Sequence, residues 1–441
     1  MKNSTLITGA RSYLNMPNPW IIHELTLSGS LSKQNLTESL VASLKKNSIY
    51  GVQVTMDSKT GKAYLSNNKD APAPISFFKE PQELGTQRQA ELIKTKQMVY
   101  ADFFSIGPKK YLLRLYFHHV LCDGKGCIIV INDFITELNA RLDKTTAPSK
   151  TVYPANVYFK YLTKEYKMPL LQKAGLFYFN KVIAKKRPEL SFEEMLDLQE
   201  KAFLNESFAF KTIDFTPEET QNIIKAAKAT DSTVTAYILE KIVSAYGQNN
   251  LEITVSIDGR KYYQIPPSAG LIPPKENPRN FATGCKINIT KDEQTTAQAC
   301  RENISQQLKS IKEPKKAAEM IKIFGTIDFA PFDIALKKYA KVPMTQEDKK
   351  VQESITKVLG FKITEAGFDF ASFGKIELLP THKKYKIHSY RLIPNTTSVY
   401  GFKFGIETYN NAMTIILTYK PPRFSHQKAQ ELLDKIKFSL L

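Results

Sequence analysis

The sequence predicts a mixed α/β (α+β) chain in which β-rich layers are covered by helices. Strand-like and helix-like periods alternate in both halves, the composition is that of a folded protein, and the length suits two or three domains. At 441 residues, and roughly 150 residues per domain, a peptide hormone or a disulfide miniprotein is excluded. Hydrophobic residues make up 42%, aromatic residues 11% and charged residues 24%, too many core formers for a disordered or fibrous chain. No repeat with a period of about 20–50 residues is visible, which excludes solenoids and propellers.

Residues 20–27 read as a strand, and Ser32 then stands as the N-cap of a helix whose stripe is Leu36, Leu40, Val41 and Leu44. Residues 50–55 and 63–66 form a hairpin around the turn at Asp57, Ser58 and Gly61. Residues 111–117 are an apolar strand, and 126–142 carry the spacing of a helix packed on it. From 153 to 205 the chain is helix-like, lysine-rich and broken by Pro154, Pro169 and Pro188, as a connector would be. The boundary falls there: 1–170 form one unit, and 171–441 a second that begins with the connector. Thr216 and Glu219 flank Pro217 in a capping box, with helices predicted over 217–229 and 234–246. Strands are predicted at 251–257, 283–289, 368–378, 398–407 and 413–419, and a helix from Ser425 closes the chain.

Lys plus Arg number 62 against 43 for Asp plus Glu, a formal charge of +19. Such a field attracts polyanions: nucleic acid, anionic lipid, coenzyme phosphates or an acidic protein. Cys122, Cys127, Cys285 and Cys300 are too sparse for a disulfide scaffold and read as reduced thiols. No signal-peptide stretch and no window of about 18 uncharged apolar residues is present, so a cytoplasmic location is expected.

The chemistry concentrates at His118-His119-Val120-Leu121-Cys122-Asp123-Gly124, two of six histidines side by side at a strand end before an Asp-Gly turn. Chance places an HHxxxDG pattern in about 2 × 10⁻⁴ of such chains. Neighbours on a strand face opposite sides, so His118 is expected in the core and His119 toward a cavity. A neutral imidazole there is a general base for a hydroxyl or amine attacking a carbonyl. Asp123 either binds local amides or pairs with a distant cation, and Gly124 lets the backbone bend close to the reacting centre. A metal site of His118, His119, Cys122 and Asp123 is disfavoured, because the adjacent histidines diverge and no further ligand stands at zinc spacing.

With these residues the chain resembles the chloramphenicol acetyltransferase-like superfamily, which includes condensation domains, polyketide-associated acyltransferases and alcohol acetyltransferases. Ser256-Ile-Asp-Gly-Arg260 is similar to its D-x-R strand end, Asn280-Phe-Ala-Thr-Gly284 to its N-[FY]-x-x-G element, and Ala371-Ser-Phe-Gly-Lys375 to its S-N-x-G strand. The resemblance covers residues 20 to the C-terminus. It implies two lobes, each a mixed sheet covered by helices, forming a V with a central tunnel. It also implies that His119, Asp123 and Gly124 serve catalysis while His118, Asp258 and Arg260 support them, with Asp123 bridged to Arg260. Ser372 replaces the asparagine of S-N-x-G, and the D-F-G-W-G segment of plant members is absent. Ser372, Thr283 and the Gly124 amide are candidate oxyanion donors, and Asn280 joins Ser372 and Thr283 as a candidate acceptor contact.

The function so implied is that of a freestanding acyltransferase. It moves an acyl group from acyl-CoA or acyl-pantetheine, a co-substrate rather than a permanently bound cofactor, to an alcohol. Amide formation with an amine acceptor is the alternative, and an inactive binding or scaffold module the second. Expected partners are a small-molecule acceptor and an acidic acyl carrier protein. Nucleic acid and membrane are not expected, since charge alone points to the first and the basic C-terminal helix packs better on a lobe. A monomer is expected, because both tunnel halves come from one chain.

Overall fold

The computed structural model describes all residues except 1–4, 8, 58, 69, 83, 150–151, 153–157, 159–160, 163–166, 187–189, 293, 360–366 and 397–399. The expected turn residue Ser58, the connector residues Pro154 and Pro188, and the first two residues of the 398–407 strand lie outside the described residues. The first half carries β1 (Thr5–Leu6), β2 (Trp20–Gly29), β3 (Val52–Met56), β4 (Ala63–Asn67), β5 (Ile75–Phe78), β6 (Val99–Gly107) and β7 (Lys110–His118). The second carries β8 (Ala209–Asp214), β9 (Asn250–Asp258), β10 (Ala282–Thr290), β11 (Gly367–Lys375), β12 (Tyr385–Ile393), β13 (Phe402–Tyr409) and β14 (Ala412–Tyr419).

Two mixed sheets, one in each lobe, form the framework. The first has the order β12-β2-β7-β6-β5, with β5 and β6 parallel and the other pairs antiparallel. The second has the order β10-β9-β11-β13-β14-β8, with β11 parallel to both β9 and β13. Helix α1 (Lys33–Lys46) is capped by the Ser32 side chain and buries Leu36, Leu40 and Leu44. Helix α2 (Thr86–Lys94) buries Leu92 and Ile93 in a smaller cluster with Trp20 and Tyr116. Helix α3 (Gly124–Asp143) turns Val130, Ile131, Phe134, Ile135 and Leu138 into the core shared with α1 and the first sheet. Around the second sheet, helices Val234–Tyr246 and His426–Leu440 bury Ile238, Leu239, Ile242, Leu433 and Ile436. All four cysteines are free and buried. No helix among the described residues is long and apolar enough to cross a membrane.

Strand β12 follows the second sheet's β11 in sequence, yet pairs with β2 from Tyr385↔Gly29 to Ile393↔Ile22. It therefore carries the chain back across the lobe junction. Glu407 of β13 locks that return, its carboxyl oxygens each 3.0 Å from the Leu392 N–H that donates to them. Burial pushes the Glu407 carboxyl up to about 8 from an ordinary 4.5. A raised folded-state value favours the protonated form, so its stabilisation is complete below 4.5 and is lost as pH rises through about 8. Urea midpoints measured across that window should fall less for Glu407→Gln than for the unaltered chain; equal slopes would refute this assignment.

Candidate functional site

Strand β7 ends at His118 in the middle of the first sheet, and the chain turns through 119–122 into α3. Asp123 is the N-cap of that helix, its Oδ1 accepting the Gly126 N–H at 2.7 Å. Its Oδ2 accepts from the Phe281 N–H at 2.8 Å and from Arg260 Nη1 at 2.7 Å. Local amides and a distant cation thus share one carboxylate. Asp123 and Arg260 are 4% and 6% exposed.

Arg260 is itself fully employed at its terminal nitrogens. Nη1 also donates to Asp258 at 3.1 Å, and Nη2 donates to the Asn277 and Arg279 carbonyls at 3.2 and 2.7 Å. The guanidinium lies 5.0 Å from the centre of the Phe281 ring. Burial opposes its charge, but Asp123 and Asp258 outweigh that and raise its pKa. At Asp258 burial likewise opposes the charged form, and Arg260 and Lys125 overcome it, holding the carboxyl below its ordinary value.

His118 packs edge-on to Trp20, ring centres 5.5 Å apart, and its Nδ1 accepts the Val120 N–H at 3.2 Å. Burial lowers its pKa to about 3. The sequence points His119 toward a cavity. In the structure the 3-10 turn Gly9–Asn15 lays Tyr13 flat on the imidazole, centres 3.7 Å apart and planes 9° apart, and His119 is 8% exposed. Burial first, then the charge of Lys403, lowers its pKa to about 3, so the ring is neutral at ordinary pH.

Asn280 clasps His119 from the second lobe. Its Oδ1 accepts the Ala282 N–H at 3.0 Å, which turns Nδ2 toward the histidine. Nδ2 donates to the His119 carbonyl at 2.6 Å and lies 3.0 Å from Nδ1. Asn280 thus sits against the back of the imidazole. Thr283 is buried, its hydroxyl without a hydrogen-bond partner among the described residues. Ser372 is exposed and lies 3.3 Å from the Thr235 hydroxyl. Gly124 has no unusual φ; a Cβ there would stand 2.7 Å from the Phe373 ring, so close packing explains the glycine. Gly126, which sequence reading passed over, is more constrained, since its Cβ would meet the Pro278 carbonyl oxygen at 2.0 Å.

Two further residues escaped the sequence reading. Tyr13 is held in place through its own turn: Arg11 Nη2 donates to both oxygens of Asp333 at 2.7 and 2.8 Å, a buried pair that Asn15 joins. Lys403 is buried on β13 opposite Asp369 of β11, and burial lowers its pKa. Neither lies in a recognisable motif, and the contacts that give them meaning span the length of the chain.

Two cavities approach this centre. One, of about 610 Å³, is lined by Lys125, Lys261, Lys275, Lys375 and Arg260, with Asp258 and Glu377 beside Lys125 and Lys375, and by Phe373 among others. The other, of about 100 Å³, is lined by Tyr13, Asn280, Thr283, Gly284, Phe324 and Gly325 among others.

No family model matches the sequence, and no curated protein matches it significantly. Among solved structures it is similar to a trichothecene 15-O-acetyltransferase from Fusarium sporotrichioides, at 12% identity and a TM-score of 0.67, covering 99% of this chain and 94% of that one. The first condensation domain of the calcium-dependent antibiotic synthetase follows at 13% and 0.64, covering 99% and 95%. A starter condensation domain of rhizomide synthetase gives 10% and 0.61, covering 100% and 94%. At these identities the likeness is one of fold: all three share the two-lobed α/β architecture described above.

Arg260→Ala strands the Asp123 carboxylate inside the protein and should lower unfolding free energy by about 3–5 kcal/mol, read from denaturant titration. Tyr13→Ala opens one face of His119, whose pKa should then rise from about 3 toward its ordinary 6.5, whereas Tyr13→Phe should leave it low. NMR titration of the ring would detect either outcome.

Proposed function

We propose that the protein is an acyltransferase in which His119 is the general base, the donor is a pantetheine thioester and the acceptor is an alcohol. The observation that carries this reading is the neutral, nearly buried imidazole held between Tyr13 and Asn280 at the lobe junction. Nδ1 carries the ring proton and gives it to a backbone carbonyl, so Nε2 keeps the lone pair and is the nitrogen assigned to the substrate. It takes the hydroxyl proton as the oxygen attacks the thioester carbonyl. The tetrahedral adduct then collapses, the carbon–sulfur bond breaks, and the imidazolium returns its proton to the departing thiolate. The products are an ester, a thiol and the neutral histidine.

Asp123 and Arg260 serve as positioning groups, fixing the histidine turn against the second lobe without touching substrate. The lysines around the larger cavity suit the phosphates of coenzyme A, and they suit an acidic carrier protein equally. The rhizomide synthetase domain that shares this fold was solved in complex with C8-CoA, which supports a thioester donor. For the oxyanion, Thr283 and the Gly124 amide at the N-terminus of α3 are the better placed candidates, since Ser372 is exposed beside Thr235.

Purified protein should release free thiol from acyl-CoA or carrier-bound acyl donors when pooled alcohols and amines are supplied. His119→Ala should retain the fold and lose about 10²–10⁴ in rate. Equal release by both proteins with every donor would abandon catalysis in favour of a scaffold role, and mass spectrometry of the product separates ester from amide. Because burial holds the base down to about 3, kcat/KM should not decline as pH falls through 6.5. An acid limb centred at 6.5 would show an ordinary, solvated histidine instead.

A further inference from the structure

We propose that the helical segment from Leu170 to Val182 seats the protein on the surface of an anionic lipid bilayer. This rests on observations independent of the acyl-transfer reading. The helix Leu170–Tyr178 runs on through a π-turn, Phe179–Ile183, into the turn Ala184–Lys186. Its inner side is anchored: Leu176 and Phe179 are buried with Ile327, Phe329, Ile334, Val351 and Ile355. Asn180 Nδ2 donates to the Thr326 carbonyl at 2.7 Å, and its Oδ1 accepts the Asp328 N–H at 2.9 Å.

The outer side is apolar. Leu170 is 83% exposed, Leu171 88%, Phe177 66%, Tyr178 53% and Val182 38%. Their spacing of about one and two helical turns places them in a single stripe, and this stripe faces water while the core-facing residues lie opposite. Soluble monomers rarely leave such a patch uncovered. By contrast, the C-terminal helix that the sequence raises as a membrane contact buries Ala429, Leu432, Leu433, Ile436 and Leu440 in the second core.

Charge selects the occupant. Residues 167–186 contain five lysines and no aspartate or glutamate, and Lys167, Lys173, Lys181 and Lys185 are exposed. Two copies meeting through this face would bring like charges together. An anionic leaflet accepts both features: side chains of Leu, Phe and Tyr enter the headgroup boundary while lysines stay at the charged surface. Each lysine in reach of such a leaflet strengthens binding roughly fivefold. The seat also adjoins the smaller cavity, since Phe324 and Gly325 line it and the next residue, Thr326, takes the Asn180 hydrogen bond. An amphiphilic ligand in the bilayer would therefore lie beside that cavity.

The test is flotation of the full chain with vesicles of phosphatidylcholine alone or of phosphatidylcholine and phosphatidylserine in equal parts. The protein should float with the anionic vesicles and be released by salt. Leu171→Ser with Phe177→Ser should weaken retention at least about tenfold, with an unchanged melting temperature showing that the anchored inner side still folds; Lys173→Glu with Lys181→Glu should weaken it on anionic vesicles. Failure of the unaltered chain to float overturns the proposal, as does equal flotation of the Leu171/Phe177 variant. A concentration-dependent dimer abolished by that variant, or capture of an acidic carrier protein without vesicle binding, would assign the stripe to a protein partner and overturn it likewise.

Discussion

Everything at the lobe junction depends on one carboxylate. Asp123 caps α3, receives the Phe281 amide and holds the Arg260 guanidinium, so a single buried charge ties the end of β7, the start of α3 and the segment before β10 together. A buried ion pair repays its desolvation only when the remaining donors are also satisfied, and here the Asn277 and Arg279 carbonyls and Asp258 complete the guanidinium's terminal nitrogens. The neighbouring main chain joins the same seam: Asn280 N–H donates to the Leu121 carbonyl at 3.1 Å, and Cys122 bridges to Arg279. Loosening this pair therefore frees the histidine turn and the Asn280 that clasps it at the same moment.

The electrostatic character of His119 follows from that rigidity. A neutral imidazole is favoured when burial denies water to the imidazolium and a nearby cation repels it, and both act here, burial more strongly than Lys403. So weakly basic a ring removes little proton density from a ground-state hydroxyl. For the proposed chemistry, proton transfer must accompany carbon–oxygen bond formation, when the hydroxyl becomes acidic. The same low polarity that keeps the ring neutral magnifies any charge that develops beside it. The buried environment fixes the electrostatics of the site before substrate arrives.

The sequence made legible what is local. The HHxxxDG turn, the D-x-R strand end and the N-[FY]-x-x-G element each lie within a few residues, and strands β7, β9, β10 and β14 carry runs whose period is plain. Residues at β12 were passed over because Lys386, His388 and Arg391 break the apolar pattern; its partner β2 lies more than 350 residues upstream, and pairing at that distance leaves no local signature. Tyr13 was invisible for a related reason, since a 3-10 turn has no amphipathic period and its anchor, Arg11 to Asp333, spans 322 positions. The stripe on the helix Leu170–Tyr178 has an apolar period, but periodicity alone does not say whether a stripe faces protein or solvent.

The basic charge, uninformative as a total, becomes specific once placed. Lys125, Lys261, Lys275 and Lys375 line the larger cavity, whereas the lysines of 167–186 flank an exposed apolar stripe. The first arrangement surrounds a concave space and suits an anion at the end of a narrow ligand; the second borders an exposed apolar stripe and suits a broad one. In the first cluster Asp258 and Glu377 stand 3.2 and 3.4 Å from Lys125 and Lys375 and relieve part of the repulsion, whereas 167–186 supplies no carboxylate of its own, so the two clusters present different fields to their surroundings.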